Sequence, residues 1–142
     1  MFKNKKGNQR IDSLIGQGST VSGDVVFAGG LRVDGTIRGS VTAADEKNGT
    51  LVVSEKARVE GKVRCSHLVL NGEVLGPIEV SQFVELQPKA RVKGDLTYKT
   101  LEMHPGAVIE GRLIPLAGAS VVTPASTDKP HQVAQEKETA HV

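Results

Sequence analysis

Short stretches in which apolar and polar residues alternate recur along the middle of the chain. The recurring phrase is a small residue, then Val or Ile two positions later, then Gly, then a second aliphatic residue, with variable residues between them. Copies begin at Ser19, Gly35, Ala57, Gly72, Ala90 and Ala107, at spacings of 16, 22, 15, 18 and 17 residues. Because side chains of a strand point alternately to its two faces, this pattern predicts short strands with one buried face.

Each copy is flanked by two further alternating pairs of apolar residues. The preceding pairs are Leu31/Val33, Leu51/Val53, Leu68/Leu70, Val84/Leu86 and Leu101/Met103. The following pairs are Val25/Phe27, Val63/Cys65, Ile78/Val80 and Leu96/Tyr98. No helical period is evident, and a glycine every few residues opposes helix formation. Each unit is therefore predicted to contain three short strands.

A unit of about 17 residues cannot bury its own apolar face, so it must stack on copies of itself. We expect an all-β fold, a single-stranded parallel β-helix (solenoid) of about six windings over residues 18–114. The longest spacing contains the polar insertion AADEKNG at 43–49, which predicts a loop. The repeat does not decide between a right-handed and a left-handed coil.

The charges between the apolar positions also follow the repeat. When the six phrases are aligned, neighbouring charges in the outward columns are opposite: Arg58–Glu73, Glu73–Arg91, Arg38–Glu60, Lys93–Glu110 and Asp95–Arg112. Like charges stacked directly opposite each other would be destabilising. Exposed pairs contribute only about 0–1 kcal/mol each, so we interpret this alternation as a device that sets the register between windings.

Composition divides the chain into three regions and excludes several protein classes. The 142 residues include one cysteine, 3% aromatic residues and a net charge of +2. These values exclude an intramolecular disulfide framework and disfavour a protein that binds nucleic acid over its whole surface. No apolar run is long enough to span a membrane and the start does not resemble a signal peptide, so a cytoplasmic location is expected.

We assign 1–17 to a flexible basic tail, 18–114 to the β-helix and the Pro- and Ala-rich 115–142 to a disordered tail.

The repeat resembles the bactofilin family of bacterial cytoskeletal proteins. The similar stretches are LIGQGSTVSGDVVFAGGLRVDGTIRGSV (14–41), LVVSEKARVEGKV (51–63) and VELQPKARVKGDLTYKTLEMHPGAVIEGRL (84–113). The resemblance implies a right-handed, roughly triangular β-helix that assembles end to end into non-polar filaments without nucleotide. It also implies association with the cytoplasmic face of the inner membrane and a scaffolding role that positions cell-wall enzymes, cell-shape machinery or chromosome-segregation proteins.

The two ends of the predicted solenoid are candidates for the polymer interface. A finite β-helix has an unpaired strand edge at each end, and no amphipathic capping helix is evident in the sequence. The candidate residues are Val21 and Val25 in the first winding and Met103, Ile109, Leu113 and Ile114 in the last. The alternative is that both tails fold over the ends and cover them.

The N-terminus is the candidate membrane-binding segment. It combines apolar residues with cations and has no nearby acid: Met1, Phe2, Lys3, Lys5, Lys6 and Arg10. The start MFKNKK also resembles the short membrane-targeting segment of many bactofilins. An ordinary solvated terminus is the alternative.

Catalysis and cofactor binding find little support in the sequence. His67 and His104 are expected at loop or outward positions, His131 and His141 lie in the tail, and Cys65 is expected to be a small core residue. No phosphate-binding loop, nucleotide fingerprint or metal-ligand spacing is present. We therefore expect a non-enzymatic protein without a cofactor or a metal.

Two other solenoid classes remain as alternatives. A hexapeptide-repeat acyltransferase would have a regular six-residue aliphatic period and a catalytic histidine in a cleft between subunits, whereas these units are irregular. An extracellular adhesive or ice-binding solenoid would have a signal peptide and a flat Thr-rich face, neither of which is seen.

Overall fold

The computed structural model describes residues 11–45 and 47–122. Every regular element in these residues is a β-strand. The strands are β1 (Ser13–Ile15), β2 (Thr20–Ser22), β3 (Val25–Phe27), β4 (Gly30–Val33), β5 (Thr36–Arg38), β6 (Val41–Ala43), β7 (Thr50–Val53), β8 (Arg58–Glu60), β9 (Val63–Leu70), β10 (Glu73–Leu75), β11 (Ile78–Leu86), β12 (Arg91–Lys93), β13 (Leu96–Met103), β14 (Val108–Glu110) and β15 (Leu113–Val122).

The strands form three parallel ladders, which we call faces 1, 2 and 3. Face 1 contains β1, β4, β7 and the C-terminal parts of β9, β11, β13 and β15. Face 2 contains β2, β5, β8, β10, β12 and β14. Face 3 contains β3, β6 and the N-terminal parts of β9, β11, β13 and β15. Each winding adds one strand to each face, which confirms the predicted β-helix of about six turns.

The inward side chains of each face stack in continuous columns, as the repeat predicts. The face 2 column is Val21, Ile37, Val59, Val74, Val92 and Ile109. One face 3 column is Val25, Val41, Val63, Ile78, Leu96 and Leu113. Inner members such as Val59 and Ile78 have no exposed surface. A fully buried aliphatic side chain stabilises the fold by about 1.5–3 kcal/mol before entropy is subtracted, so these columns are the main source of stability.

The described residues of the polar insertion between β6 and β7, 44–45 and 47–49, form the predicted loop. One buried serine hydrogen-bonds to it. The Ser66 side chain is fully buried. Its Oγ accepts a hydrogen bond from the Gly49 N–H at 3.0 Å and donates to the Gly49 carbonyl oxygen at 2.8 Å. A buried polar group without a hydrogen-bond partner would be costly there. Ser66 therefore supplies partners to the Gly49 backbone at a point where the loop interrupts the regular strand pairing.

The strands extend beyond the predicted range of 18–114 on both sides. Strand β1 pairs with β4, and β15 continues to Val122, with Leu101 opposite Val121. Of residues 115–122, which are expected from the sequence to be disordered, Pro115 and 120–122 are strand partners of β13 on either side of a register shift. Pairing through the backbone does not require apolar alternation. Residues 123–142, also assigned to the disordered tail, lie outside the described residues.

Candidate functional site at the ends of the solenoid

In the first winding, the last side chains of the inward apolar columns are partly exposed. Val21 and Val25 are half-buried and pack on the core. Within the described residues each has a neighbour in its column on one side only, Ile37 for Val21 and Val41 for Val25. Strand β2 is a terminal strand of the face 2 sheet. One edge of β2 therefore has no strand partner among the described residues.

The last winding has a comparable end, although its candidate residues differ in position. Met103 and Ile109 are half-buried and pack on the core, and β14, which carries Ile109, is the other terminal strand of the face 2 sheet. Leu113 is only 8% exposed, so it is mainly a core residue of the last winding. Ile114 is exposed and lies opposite Thr97 on the outward side of face 3, not at the end of a column.

Val121 is a further residue at the end of the last winding, and the repeat pattern does not predict it. Val121 pairs with Leu101 at the top of an inward column of face 1 and is 45% exposed. The segment between Leu113 and Val121 contains Pro115 and Gly118 and does not repeat the Val-x-Gly-x-Val phrase. Its only signal in the sequence is the short apolar pair that ends β15.

Exposed apolar surface is concentrated in the two terminal windings. The exposed large apolar residues in the described part of the chain are Ile11, Leu14, Val26, Val108, Ile114, Leu116, Val121 and Val122. All of them belong to the first winding and the chain leading into it, or to the last winding and its continuation. Val26, Val108 and Ile114 occupy outward positions of their strands, so this surface includes the sides of the terminal windings as well as the ends of the columns.

The sides of the middle windings are covered instead by charges in the predicted register. Arg58 Nε lies 3.9 Å from Glu73 Oε1, Arg38 Nε lies 3.8 Å from Glu60 Oε1, and these residues are strand partners as expected. Strand pairing also places Glu73 opposite Arg91 and Lys93 opposite Glu110. The Asp95–Arg112 pair forms at 3.2 Å. The outward positions of these windings therefore carry paired charges, whereas the exposed large apolar residues among the described residues lie in the terminal windings.

The cysteine is a core residue, as predicted. Cys65 is 6% exposed and borders a groove of about 430 Å³ on face 3, whose lining includes Arg64, Glu79 and Thr97. Burial raises the pKa of the Cys65 thiol to about 12. Because the thiolate is the nucleophilic form, Cys65 is poorly suited to covalent catalysis near neutral pH.

The two described histidines have different surroundings. His67 Nδ1 lies 3.0 Å from Ser66 Oγ, and partial burial lowers the pKa of His67. His104 Nε2 lies 2.9 Å from Glu85 Oε2 and 3.3 Å from Glu102 Oε2. Sequence reasoning finds no acid paired with His104, because Glu85 is 19 residues away and comes close only through stacking of windings. The signal that could have revealed this group is the alignment of Glu85 with Glu102.

The proposed membrane-binding residues are not tested by the structure. Met1, Phe2, Lys3, Lys5, Lys6 and Arg10 lie outside the described residues. Within residues 11–45 and 47–122 there is no helix with the length and apolar character that crossing a bilayer requires.

Comparison with known proteins supports a specific family. The protein family described as "Bactofilin: Polymer-forming cytoskeletal" matches residues 13–114. Bactofilin BacP of Myxococcus xanthus (strain DK1622) is 25% identical over 128 residues, which cover 84% of this chain and 52% of BacP. Bactofilin BacO of the same organism is 26% identical over 102 residues, covering 72% of this chain and 78% of BacO. The match thus spans about half the length of BacP, and no solved structure is significantly similar to the chain.

Proposed function

The chain belongs to the bactofilin family of polymer-forming cytoskeletal proteins, and from this premise we propose that its solenoids stack end to end into filaments. The observation that carries the proposal is the distribution of apolar surface. Among the described residues, columns that continue through the molecule end in half-buried side chains, which are Val21 and Val25 at one end and Met103 and Ile109 at the other. A second copy placed on either end would extend these columns by the same contacts that join successive windings.

Backbone pairing would add to side-chain stacking at such a junction. Strands β2 and β14 are terminal in their sheet, and an open strand edge can accept another strand by β-augmentation. Leu113 and Ile114 belong to the proposed interface in supporting positions, since Leu113 is the mainly buried last member of a face 3 column and Ile114 is an exposed outward residue of the same strand. We further propose that assembly requires no nucleotide and that the protein is a scaffold without catalytic activity.

We also propose that the filaments lie on the cytoplasmic face of the inner membrane and position cell-envelope or cell-shape machinery. The support is the family membership and the cationic, Phe-containing start of the sequence. Cell-wall enzymes and chromosome-segregation proteins are the partner classes that the resemblance implies.

The direct test of filament assembly uses two substitutions in neighbouring residues of β14. Ile109→Arg places a charge in the half-buried end of the face 2 column, whereas Val108→Arg changes an exposed residue of the same strand. Burying an unpaired charge at a junction is costly. We expect wild type and Val108→Arg to form filaments in negative-stain electron microscopy without nucleotide, and Ile109→Arg to form none while keeping its β-sheet circular dichroism.

Light scattering of the Ile109→Arg protein would also give the symmetry of assembly. Discrete dimers would mean that the first windings still pair with each other, as in a non-polar filament, whereas monomers would mean a head-to-tail contact. Both results agree with an end interface. Normal filaments of a folded Ile109→Arg protein, or monomeric wild-type protein at all concentrations, would contradict it.

A further inference from the structure

Three metal-ligating side chains meet on the outer side of face 1. Glu85 on β11 and Glu102 on β13 are strand partners one winding apart, and His104 follows β13. His104 Nε2 lies 2.9 Å from Glu85 Oε2 and 3.3 Å from Glu102 Oε2. The three potential ligand atoms all lie within 4.8 Å of one another.

This arrangement breaks the charge pattern of the other windings. On face 2, by contrast, Glu73 stacks between Arg58 and Arg91. Here two carboxylates are direct neighbours, a destabilising pair unless positive charge lies between them. The side chains of Glu85 and Glu102 are only 23% and 26% exposed, so water screens their charges incompletely. His104, which is 25% exposed, lies against both carboxylates.

The geometry fits a small divalent transition-metal ion. Zn²⁺ binds imidazole nitrogen and carboxylate oxygen at about 2.0–2.2 Å in a tetrahedron, which places ligand atoms about 3.3 Å apart. The distances from His104 Nε2 to the two carboxylates are already close to this value. Gln87 Nε2 donates to Glu85 Oε2 at 3.3 Å, a contact of the kind that orients a metal-binding carboxylate from outside the ligand shell.

We propose that Glu85, Glu102 and His104 bind one divalent transition-metal ion of the zinc class, which joins the fifth and sixth windings. An imidazole with two carboxylates favours Zn²⁺ or Co²⁺ over Mg²⁺ and Ca²⁺, which prefer all-oxygen sites. The bound ion places positive charge between the two stacked carboxylates. The site lies on the side of the solenoid, so its existence does not depend on end-to-end assembly.

The test is a Co²⁺ titration of the full chain at about pH 7.5, followed by visible absorption and by competition with Zn²⁺. We expect one Co²⁺ per chain that Zn²⁺ displaces and a tenfold excess of Mg²⁺ does not. Glu102→Gln and His104→Gln are each expected to weaken binding at least about tenfold. The matched control is Glu79→Gln, since Glu79 is an outward residue of β11 that instead pairs with Lys62 and Arg64.

A thermal readout separates metal binding from a purely structural role. A ligand that binds only the folded state raises Tm with its concentration, so Zn²⁺ should raise Tm for wild type and Glu79→Gln but not for His104→Gln. A His131→Gln/His141→Gln variant should behave as wild type. Undiminished Co²⁺ binding by folded His104→Gln, loss of binding in the tail variant, or no Co²⁺ binding by folded wild type would each overturn the proposal.

Discussion

At the scale of single residues, the glycine of each repeat marks a point where one winding touches the next through backbone alone. A Cβ placed on Gly61 would lie 2.2 Å from the carbonyl oxygen of Gly39, and one placed on Gly39 would lie 2.2 Å from that of Gly23. The same relation links Gly76, Gly94 and Gly111 to the winding before each. The close approach of stacked corners therefore explains why this position tolerates no side chain.

Gly61→Ala should destabilise the protein strongly. The new methyl group would collide with the Gly39 carbonyl, and relieving the contact would require two windings to separate. We expect the free energy of unfolding, measured by urea denaturation, to fall by at least about 2 kcal/mol.

The control for this substitution is Gly16→Ala. A Cβ there would meet nothing within 4 Å, so its effect should remain within about 0.5 kcal/mol. Equal losses from the two alanines would show that the stacked corner is not the reason for the glycine.

Individual contacts differ in whether they can be predicted from the sequence. Columns such as Val59 on Val74 are predictable, because each member repeats a local pattern at a nearly constant spacing. The contact of His104 with Glu85 is not predictable from local pattern, since it depends on the exact register between windings and on side-chain direction. Leu113 shows a different limit, because the repeat places it at an inward position of the last winding but does not reveal that it is only 8% exposed there.

At the scale of strands, two aspartates connect successive windings at equivalent corners. Asp24 follows Gly23, and its Oδ1 accepts a hydrogen bond from the Ser40 N–H at 3.0 Å. Asp95 follows Gly94, and its Oδ1 accepts from the Arg112 N–H at 3.0 Å. These backbone hydrogen bonds are the largest cause of the lowered pKa of each aspartate.

Acid should therefore weaken the contacts between windings. Because the folded-state pKa of Asp24 and Asp95 lies below the ordinary value of 3.8, the unfolded chain binds more protons as the pH falls. Their stabilising contribution is present above that value and is lost as the pH falls through the depressed pKa. We expect the free energy of unfolding to decline below about pH 4, measured by urea denaturation at successive pH values.

The comparison for the acid experiment is the Asp24→Asn/Asp95→Asn double variant. Asparagine retains a hydrogen-bond acceptor but does not titrate, so the variant should lose less stability than wild type over the same pH interval. Identical slopes would mean that these two corners do not contribute to acid sensitivity.

The strand boundaries were less predictable than the strands themselves. The short strands of face 2 follow directly from Val or Ile before the repeat glycine, and β12 and β14 are examples. The extension of β15 from Leu113 to Val122 is not predictable from the sequence, because its outward and inward positions are both largely exposed. A terminal strand can pair through its backbone while leaving little hydrophobic alternation in the sequence.

At the scale of the whole molecule, assembly and membrane binding should be coupled. The four cations at 3–10 each contribute roughly 1 kcal/mol near an anionic lipid surface, and insertion of Phe2 adds about 1.5–3 kcal/mol. Ordering the segment offsets part of this for a single chain. A filament presents many such segments together, and multivalency can raise binding by about 10²–10⁴.

Vesicles that contain anionic phosphatidylglycerol provide the measurement. Wild-type and Val108→Arg filaments should sediment with them, whereas assembly-blocked Ile109→Arg should bind at least about tenfold more weakly, because it lacks multivalency. Removing residues 2–6 should abolish sedimentation with vesicles while filaments remain visible by electron microscopy. If Ile109→Arg bound vesicles as strongly as wild type, membrane binding would not depend on assembly. If the protein lacking residues 2–6 still bound vesicles as wild type does, the N-terminal segment would not be the membrane anchor.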